Sequence, residues 1–362
     1  MPRISPDIET FARVKVIGVG NSGTNSVNHM VRSKVKGVEF IIVDTDAQKL
    51  RHSLASKKIH IGKNLTRGLG CGMNPEIGRM AAEETREILG EAIKGSDMIF
   101  IACGFGGGTA TGAAPVVAKI AKEQEILTIA VVTKPFGFEG LCRNRLAEEG
   151  LANLKNSVDA MVVVPNDRLL GLIDKETTFL STFKMCDEVL RQAVEGISDL
   201  ITMPGIINVD FADIKAIMQN AGSALMGIGR AQGESRAEEA ARMAINSPLL
   251  DLSIEGAKGV LFAISGNEDM TMMEIQNAAN IITESIDPEA KVIFGAFNDD
   301  RLRKNELMVT VIATGFQETK IPRKSFLSPK PSNQEPAIIT KEENGEEENS
   351  QNTIPAFLRR KK

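Results

Sequence analysis

Two glycine-rich turns, each lying between an apolar run and a helical pattern, constrain this chain more than any other feature. The first is Gly18-Val19-Gly20-Asn21-Ser22-Gly23-Thr24-Asn25, after the apolar run Arg13–Val19. The second is Gly104-Phe105-Gly106-Gly107-Gly108-Thr109-Ala110-Thr111-Gly112, after Met98–Ala102. Glycines let a backbone approach a phosphate, and the free N–H groups of the helix start face the anion. The first turn satisfies GxGxxG, and Asp44 ends the next apolar run, Glu39–Asp44, where a ribose-binding acid sits in dinucleotide folds. A nicotinamide-dependent oxidoreductase is therefore one reading, and a tight turn without ligand is the plainer one. The second turn shifts the balance. A triphosphate needs several N–H donors, whereas a nicotinamide fold does not need a second cradle. No GxxxxGK[ST] occurs, which sets aside the ordinary P-loop. A third turn, Gly68–Asn74, reads either as a cover for a terminal phosphate or as a surface loop.

Further apolar runs lie at Leu127–Thr133 and Met161–Val164. Helical spacing is expected from about Thr24 to Ser33, over Pro75–Ile93, and from Thr111 to about Lys122. Apolar strands alternating with helices predict an α/β fold with a parallel sheet covered on both faces. Phe179–Met203 has the longest helical pattern, with Phe183, Cys186, Leu190, Ala193, Ile197 and Leu200 on one stripe until Pro204-Gly205 stops it. Beyond it, strand-like runs at Ala224–Ile228, Gly259–Ser265, Lys291–Phe297 and Leu307–Thr314 enclose helical patterns at Arg236–Ile245 and Thr271–Ile286, as in a smaller α+β domain. The expected organisation is an N-terminal extension (1–12), a nucleotide-binding domain (13–178), a central helix (179–203) and an α+β domain (204–316). A charged, disordered linker (317–352) and a terminal peptide (353–362) would follow.

Composition narrows the function. A net charge of −4, with neither Trp nor Tyr, leaves no basic face or stacking platform for nucleic acid. Four cysteines without a CxxC pair fit a reducing cytoplasm, and three scattered histidines suggest no metal site. No secretory signal is visible, and no run approaches the ~20 apolar residues that cross a bilayer, so membrane contact is expected only through a partner.

Several motifs carry a family resemblance. GGGTATG at Gly106–Gly112 is close to the tubulin-superfamily signature GGGTGTG. Its context FIACGFGGGTATGAAPVVA resembles the FtsZ family, as do VVTKPFGFEG (Val131–Gly140), VPNDRLL (Val164–Leu170), GISDLI (Gly196–Ile201), NVDFADIK (Asn208–Lys215) and SALMGIG (Ser223–Gly229). The similarity runs in unbroken order from about Arg13 to Phe316, and IPAFLRR at Ile354–Arg360 resembles the family's C-terminal peptide. The resemblance implies a tubulin-like fold: a Rossmann-like parallel-sheet GTPase domain joined by a long central helix to a smaller α+β domain. It also implies a cytoplasmic bacterial division GTPase that polymerises head to tail into a ring at mid-cell.

On that resemblance Gly20, Asn21, Ser22, Gly23, Thr24 and Asn25, with Gly104, Gly106, Gly107, Gly108, Thr109 and Ala110, hold the phosphates of GTP or GDP. Glu139 and Arg143 match ribose and phosphate contacts, although four-residue spacing also fits a surface ion pair. Asn166 matches a residue near base and sugar, and its plainer role is to cap the next helix. Phe183 and Asp187 share a helix face and match contacts to guanine. A carboxylate accepts from guanine N1–H and N2–H2 together, an arrangement adenine lacks; the plainer Asp187 is a solvated acid. Asn208, Asp210 and Asp213 match a loop that enters the nucleotide pocket of the next subunit and acts on the attacking water. In isolation they read as a helix start with acids in its first turn. Mg2+ would moderate repulsion between these acids and the triphosphate. Ile354, Pro355, Phe357, Leu358, Arg359 and Arg360 would bind a membrane-anchoring division protein of FtsA type, or merely solubilise the tail. Three sites depart from the family pattern: Asn21 and Ser22 stand where glycines are usual, Ala110 replaces a glycine, and Asp44 replaces an Asn. These departures predict a weak or slow GTPase, and a nucleotide-binding structural protein without useful hydrolysis is a further reading.

Overall fold

The structure, a computed structural model, describes residues 12–172, 176–203, 205–247, 254 and 256–316. The chain begins with strand β1 (Val14–Val19), helix α1 (Gly20–Arg32), β2 (Val38–Asp44), α2 (Ala47–His52) and β3 (Lys57–His60). Next come α3 (Lys63–Thr66), α4 (Pro75–Glu84), α5 (Arg86–Ile93), β4 (Met98–Gly104), α6 (Gly108–Glu123) and β5 (Leu127–Lys134). A 3-10 turn at Gly137–Glu139 leads into α7 (Leu141–Lys155), β6 (Ala160–Pro165), α8 (Asn166–Leu169) and the long α9 (Phe179–Thr202). The remainder is α10 (Phe211–Met218), β7 (Gly222–Gln232), α11 (Arg236–Ile245), β8 (Gly259–Gly266), α12 (Met272–Glu284), β9 (Lys291–Asn298) and β10 (Glu306–Thr314).

All ten strands form one sheet in the order β3-β2-β1-β4-β5-β6-β7-β10-β8-β9. The first six are parallel; the inner strands β1, β4, β5 and β6 are nearly continuous in apolar residues, as strands buried on both faces must be, while the edge strand β3 (KKIH) is mostly polar. The change of rhythm after α9 appears as antiparallel pairing of β10 with β7 and β8. The two halves meet along a short seam, where β6 and β7 pair over Ala160↔Gly222, Met161↔Ser223 and Val162↔Ala224.

The expected stripe on α9 is largely buried: Cys186, Leu190, Ala193, Ile197 and Leu200 sit in a core shared with strands from both halves of the sheet. Sequence did not reveal the second buried face. Arg191, Glu195 and Asp199 are each less than 10% exposed. The helical pattern over Pro75–Ile93 is broken at Thr85, whose hydroxyl donates to the Ala81 carbonyl at 2.8 Å and whose backbone leaves helical geometry. Helices α1 and α6 begin at Gly20 and Gly108, earlier than apolar spacing suggests, because glycine turns form their first residues. Gly112 sets the approach of α6 to α4. A Cβ there would lie 1.9 Å from the Pro75 carbonyl oxygen and 2.6 Å from the Arg79 nitrogen. Gly112→Ala is expected to cost about 3 kcal/mol or more through overpacking, seen as a lower urea midpoint; an unchanged midpoint would contradict this contact.

Candidate active site

A cleft of about 320 Å3 lies where the glycine turns following β1 and β4 meet. Strand order reverses between β1 and β4, and open parallel sheets bind ligands outside the carboxyl ends of strands at such a point. Asn21, Ser22 and Asn25 of α1 form one wall, with Gly104, Gly107, Gly108, Thr109 and Ala110 beside them. Glu139, Arg143, Asn166, Phe183 and Asp187 complete the lining expected from sequence.

Helix ends explain what this cleft accepts. Helices α2, α4, α9 and α12 begin with side-chain caps from Asp46, Asn74, Thr178 and Thr271. Helices α1 and α6 have neither a side-chain cap nor an acid in the first turn. Their leading N–H groups keep their donors for an outside acceptor, and both helix dipoles favour an anion. The two turns also touch. A Cβ on Gly104 would lie 2.7 Å from Ser22 Oγ, and one on Gly20, where φ is +71°, would lie 3.3 Å from the Ala110 methyl. Ala110 therefore fills space that Gly20 leaves open, and it is 5% exposed.

Gly20, Gly23, Thr24 and Gly106 are not on the cleft lining. They act beneath it. A Cβ on Gly23 would strike the Ala102 carbonyl at 2.4 Å, and one on Gly106 would meet the Arg143 carbonyl at 3.0 Å. Thr24 is buried, and its hydroxyl has no partner among the described residues. The third glycine turn supplies Cys71, Gly72 and Met73 to the wall. Its Cys71 Sγ accepts from Thr109 Oγ1 at 3.4 Å, and Thr45 Oγ1 and Thr109 Oγ1 lie 2.8 Å apart, tying this turn to the start of α6. Phe105 of the second turn also lines the cleft, and sequence patterns did not single out Thr133, Pro135 or Cys186 as lining residues. Only their positions at the end of β5, just after it and next to Asp187 pointed to the cleft. Burial pushes the Cys186 thiol up to about 12, so it remains neutral.

Glu139 accepts from Arg143 at 2.6 Å and from the Phe136 N–H at 3.0 Å, so it is both an ion-pair partner and a lining residue. Asn166 is the first residue of α8 and does not cap it, since Pro165 holds the cap position. Its Oδ1 is buried without a partner among the described residues, a polar atom suited to a ligand donor. Phe183 sits in an aromatic cluster, edge-on to Phe136 and tilted against Phe179, at ring distances of 5.5 and 4.8 Å. Asp187 accepts from Ser26 Oγ at 2.7 Å, and burial raises its pKa. Asp44 lies off the lining, nearly buried. Its Oδ1 accepts from the N–H groups of Thr45 and Asp46 at 2.7 and 3.2 Å, and burial raises its pKa.

Asn208, Asp210 and Asp213 are exposed and do not line the cleft of their own chain. Their segment is pinned to β9, because the N–H groups of Ile206 and Ile207 both donate to the Ala296 carbonyl, at 2.7 and 3.0 Å. Val209 is buried. Asn208 Oδ1 accepts from the Gly205 N–H at 2.7 Å, closing the turn. Asp210 occupies the cap position of α10 without a capping bond, leaving its carboxylate outward. Among the described residues no three His, Cys, Asp or Glu converge to hold a metal ion.

A parallel-sheet protein with two uncapped helix starts facing one cleft defines a nucleotide-phosphate binder. The family description Tubulin/FtsZ family, GTPase domain, matches residues 13–174, and FtsZ family, C-terminal domain, matches 222–317. An empty FtsZ dimer from M. jannaschii is 47% identical with a TM-score of 0.82, over 85% of this chain and 89% of that one. Two Haloferax volcanii proteins share the fold at lower identity. CetZ2, in a GTPγS-bound protofilament, has 21% identity and a TM-score of 0.72 over 85% of this chain and 94% of that one. CetZ1, a GDP-bound monomer, has 20% identity and a TM-score of 0.74 over 85% and 96%. The chain belongs to the tubulin/FtsZ GTPase family, within its FtsZ branch. Membership implies GTP binding and hydrolysis and leaves the oxidoreductase reading without support.

Proposed function

We propose that this chain is a bacterial division GTPase that polymerises head to tail and hydrolyses GTP in a site completed by the neighbouring copy. One observation carries this reading. The acids lining the cleft are Glu139, held by Arg143, and Asp187, held by Ser26, while Asp210 and Asp213 stand exposed elsewhere on the chain. Phosphoryl transfer needs a group that orients the attacking water, and here a second copy supplies it. A repeating head-to-tail contact is heterologous and grows a filament. Asn21, Ser22, Asn25, Gly104, Gly107, Gly108, Thr109 and Ala110 bind the phosphates, and Asn166, Phe183 and Asp187 take the guanosine end. Gly20, Gly23, Thr24 and Gly106 shape the two turns from below. A Mg2+ ion would draw most of its ligands from phosphates and water. Residues 13–178 act as the GTP-binding domain, α9 as the connector and 204–316 as the part that activates the neighbour.

No helix among the described residues is long and apolar enough to cross a membrane. Anchoring at mid-cell is assigned to residues 353–362, which lie outside the described residues. Their Ile354, Pro355, Phe357, Leu358, Arg359 and Arg360 meet an anchoring protein of FtsA type. The test is phosphate release from GTP and from ATP as protein concentration rises. A GTP rate per molecule that climbs cooperatively, with ATP inert, is expected. A rate per molecule independent of concentration would show a self-contained site.

A further inference from the structure

Ser26 is fully buried in α1, directly behind the cleft. Its hydroxyl lies 2.7 Å from Asp187 Oδ1 and 3.0 Å from the Ser22 carbonyl. A hydroxyl has one proton to give, and an ionised carboxylate is the stronger acceptor. The Ser22 carbonyl is also within the α1 ladder, where a backbone N–H serves it. The proton therefore goes to Asp187. This bond ties α9 to α1, whose Asn21, Ser22 and Asn25 form the phosphate wall.

We propose that Ser26 is a positioning residue for nucleobase discrimination, fixing the Asp187 carboxylate in the orientation and charge state that reads guanine. The inference rests on Asp187 being the guanine contact. Guanine N1–H and N2–H2 both donate, so they need an acceptor with no proton of its own. Burial works against that state, whereas the Ser26 bond and nearby His29 favour it. Ser26 also occupies one side of Oδ1 and leaves Oδ2 for the base.

Groups facing Asp187 from other elements do not replace this donor. His29 of α1 lies 2.9 Å from Glu188 and is paired there. Arg143 of α7 is engaged by Glu139. Asp167 of α8 accepts from the Gly137 N–H at 2.9 Å, and Cys186 on the same helix remains a neutral thiol.

Equilibrium dialysis with labelled GTP across a pH series tests the inference on the full chain without relying on turnover. Ser26→Ala should move the acid limb of GTP affinity upward by about one pH unit. On the acid side of that limb its affinity should fall by up to about tenfold, the worth of a hydrogen bond to a charged group, with little change on the alkaline side, where the carboxylate is ionised in both proteins. Ser26→Thr keeps the hydroxyl and should keep the wild-type profile. A Ser26→Ala profile that overlays wild type or shifts downward overturns the inference, as does a shift shared by Ser26→Thr. Asp187→Asn tests the underlying reading separately. It should exchange preference from GTP to xanthosine triphosphate, whose C2 carbonyl accepts from the amide. Unchanged GTP preference in Asp187→Asn would remove the guanine assignment itself, whatever Ser26 does.

Discussion

Asp213→Ala should bind GTP like the wild type and hydrolyse it at least about a hundredfold more slowly, the scale on which positioned polar groups act on a transition state. Asp213 is exposed in the first turn of α10, and its carboxylate accepts no hydrogen bond and makes no ion pair among the described residues. Removing it therefore costs at most about 1 kcal/mol of dipole stabilisation, and unfolding cannot imitate the effect. The substitution also leaves every lining residue of the cleft intact. Binding measured by dialysis and turnover by phosphate release should separate cleanly. GTP-dependent polymers should pellet and persist longer, because hydrolysis no longer weakens the contact. Full turnover in this variant would show that the acid of α10 has no part in the chemistry. Mixing it with Asp187→Ala, which keeps Asp213 but removes the proposed base contact, should restore part of the rate. Only a shared site joins one copy's loop to another's cleft.

The second large effect is expected in stability, from a charge network along α9. Arg301, in the β9–β10 connection, bonds Asp299 at 2.7 Å and Asp199 at 3.1 Å, and it also bonds Glu195. Glu195 meets Arg191, which holds Glu188 at 2.6 and 2.8 Å. Glu195, Asp199 and Asp299 are all buried. Arg301→Met leaves three buried carboxylates with Arg191 as the nearest remaining cation of this cluster. Breaking a fully buried pair costs about 3–5 kcal/mol; the Arg301 side chain is 47% exposed, so about 2–3 kcal/mol is expected.

The pH dependence has a definite sign. Burial and the neighbouring Glu195 charge push the Asp199 carboxyl up to about 7, from an unfolded value of 3.8. Between those values the folded chain retains a proton that the unfolded chain releases, so stability falls as pH rises through this window. Asp199→Asn should lose that slope. The Arg301→Met deficit should be largest near pH 8 and shrink toward pH 6, as the uncompensated carboxyl takes up a proton. Urea denaturation at several pH values checks both, and a deficit constant across the range would mean that Asp199 does not titrate in the network.

Much of the site was legible because phosphate binding depends on local chain chemistry. Glycine turns placed between strand and helix patterns predicted where N–H groups would be free, and α1 and α6 start there without caps. Apolar runs alternating with helical patterns predicted the parallel strands, and three- and four-residue spacing predicted the buried stripe of α9. The earlier starts of α1 and α6 escaped notice because glycine weakens helical patterning even where its backbone is helical. Thr133 at the end of β5 and Cys186 on α9 became lining residues through the convergence of separate elements, which has no period in sequence.

Sequence by itself determined the strand and helix rhythm, the glycine turns and the motifs that mark the family, because these depend on residues close together along the chain. Tertiary structure decided that Ser26 meets Asp187, that Arg301 meets Glu195 and Asp199, and that Asp210 and Asp213 lie off their own chain's cleft. Those contacts join residues separated by as many as 161 positions in one case and 106 in another. Hydrogen bonds and charge pairs act over a few ångströms of space, and only the path of the folded backbone brings such partners within that reach.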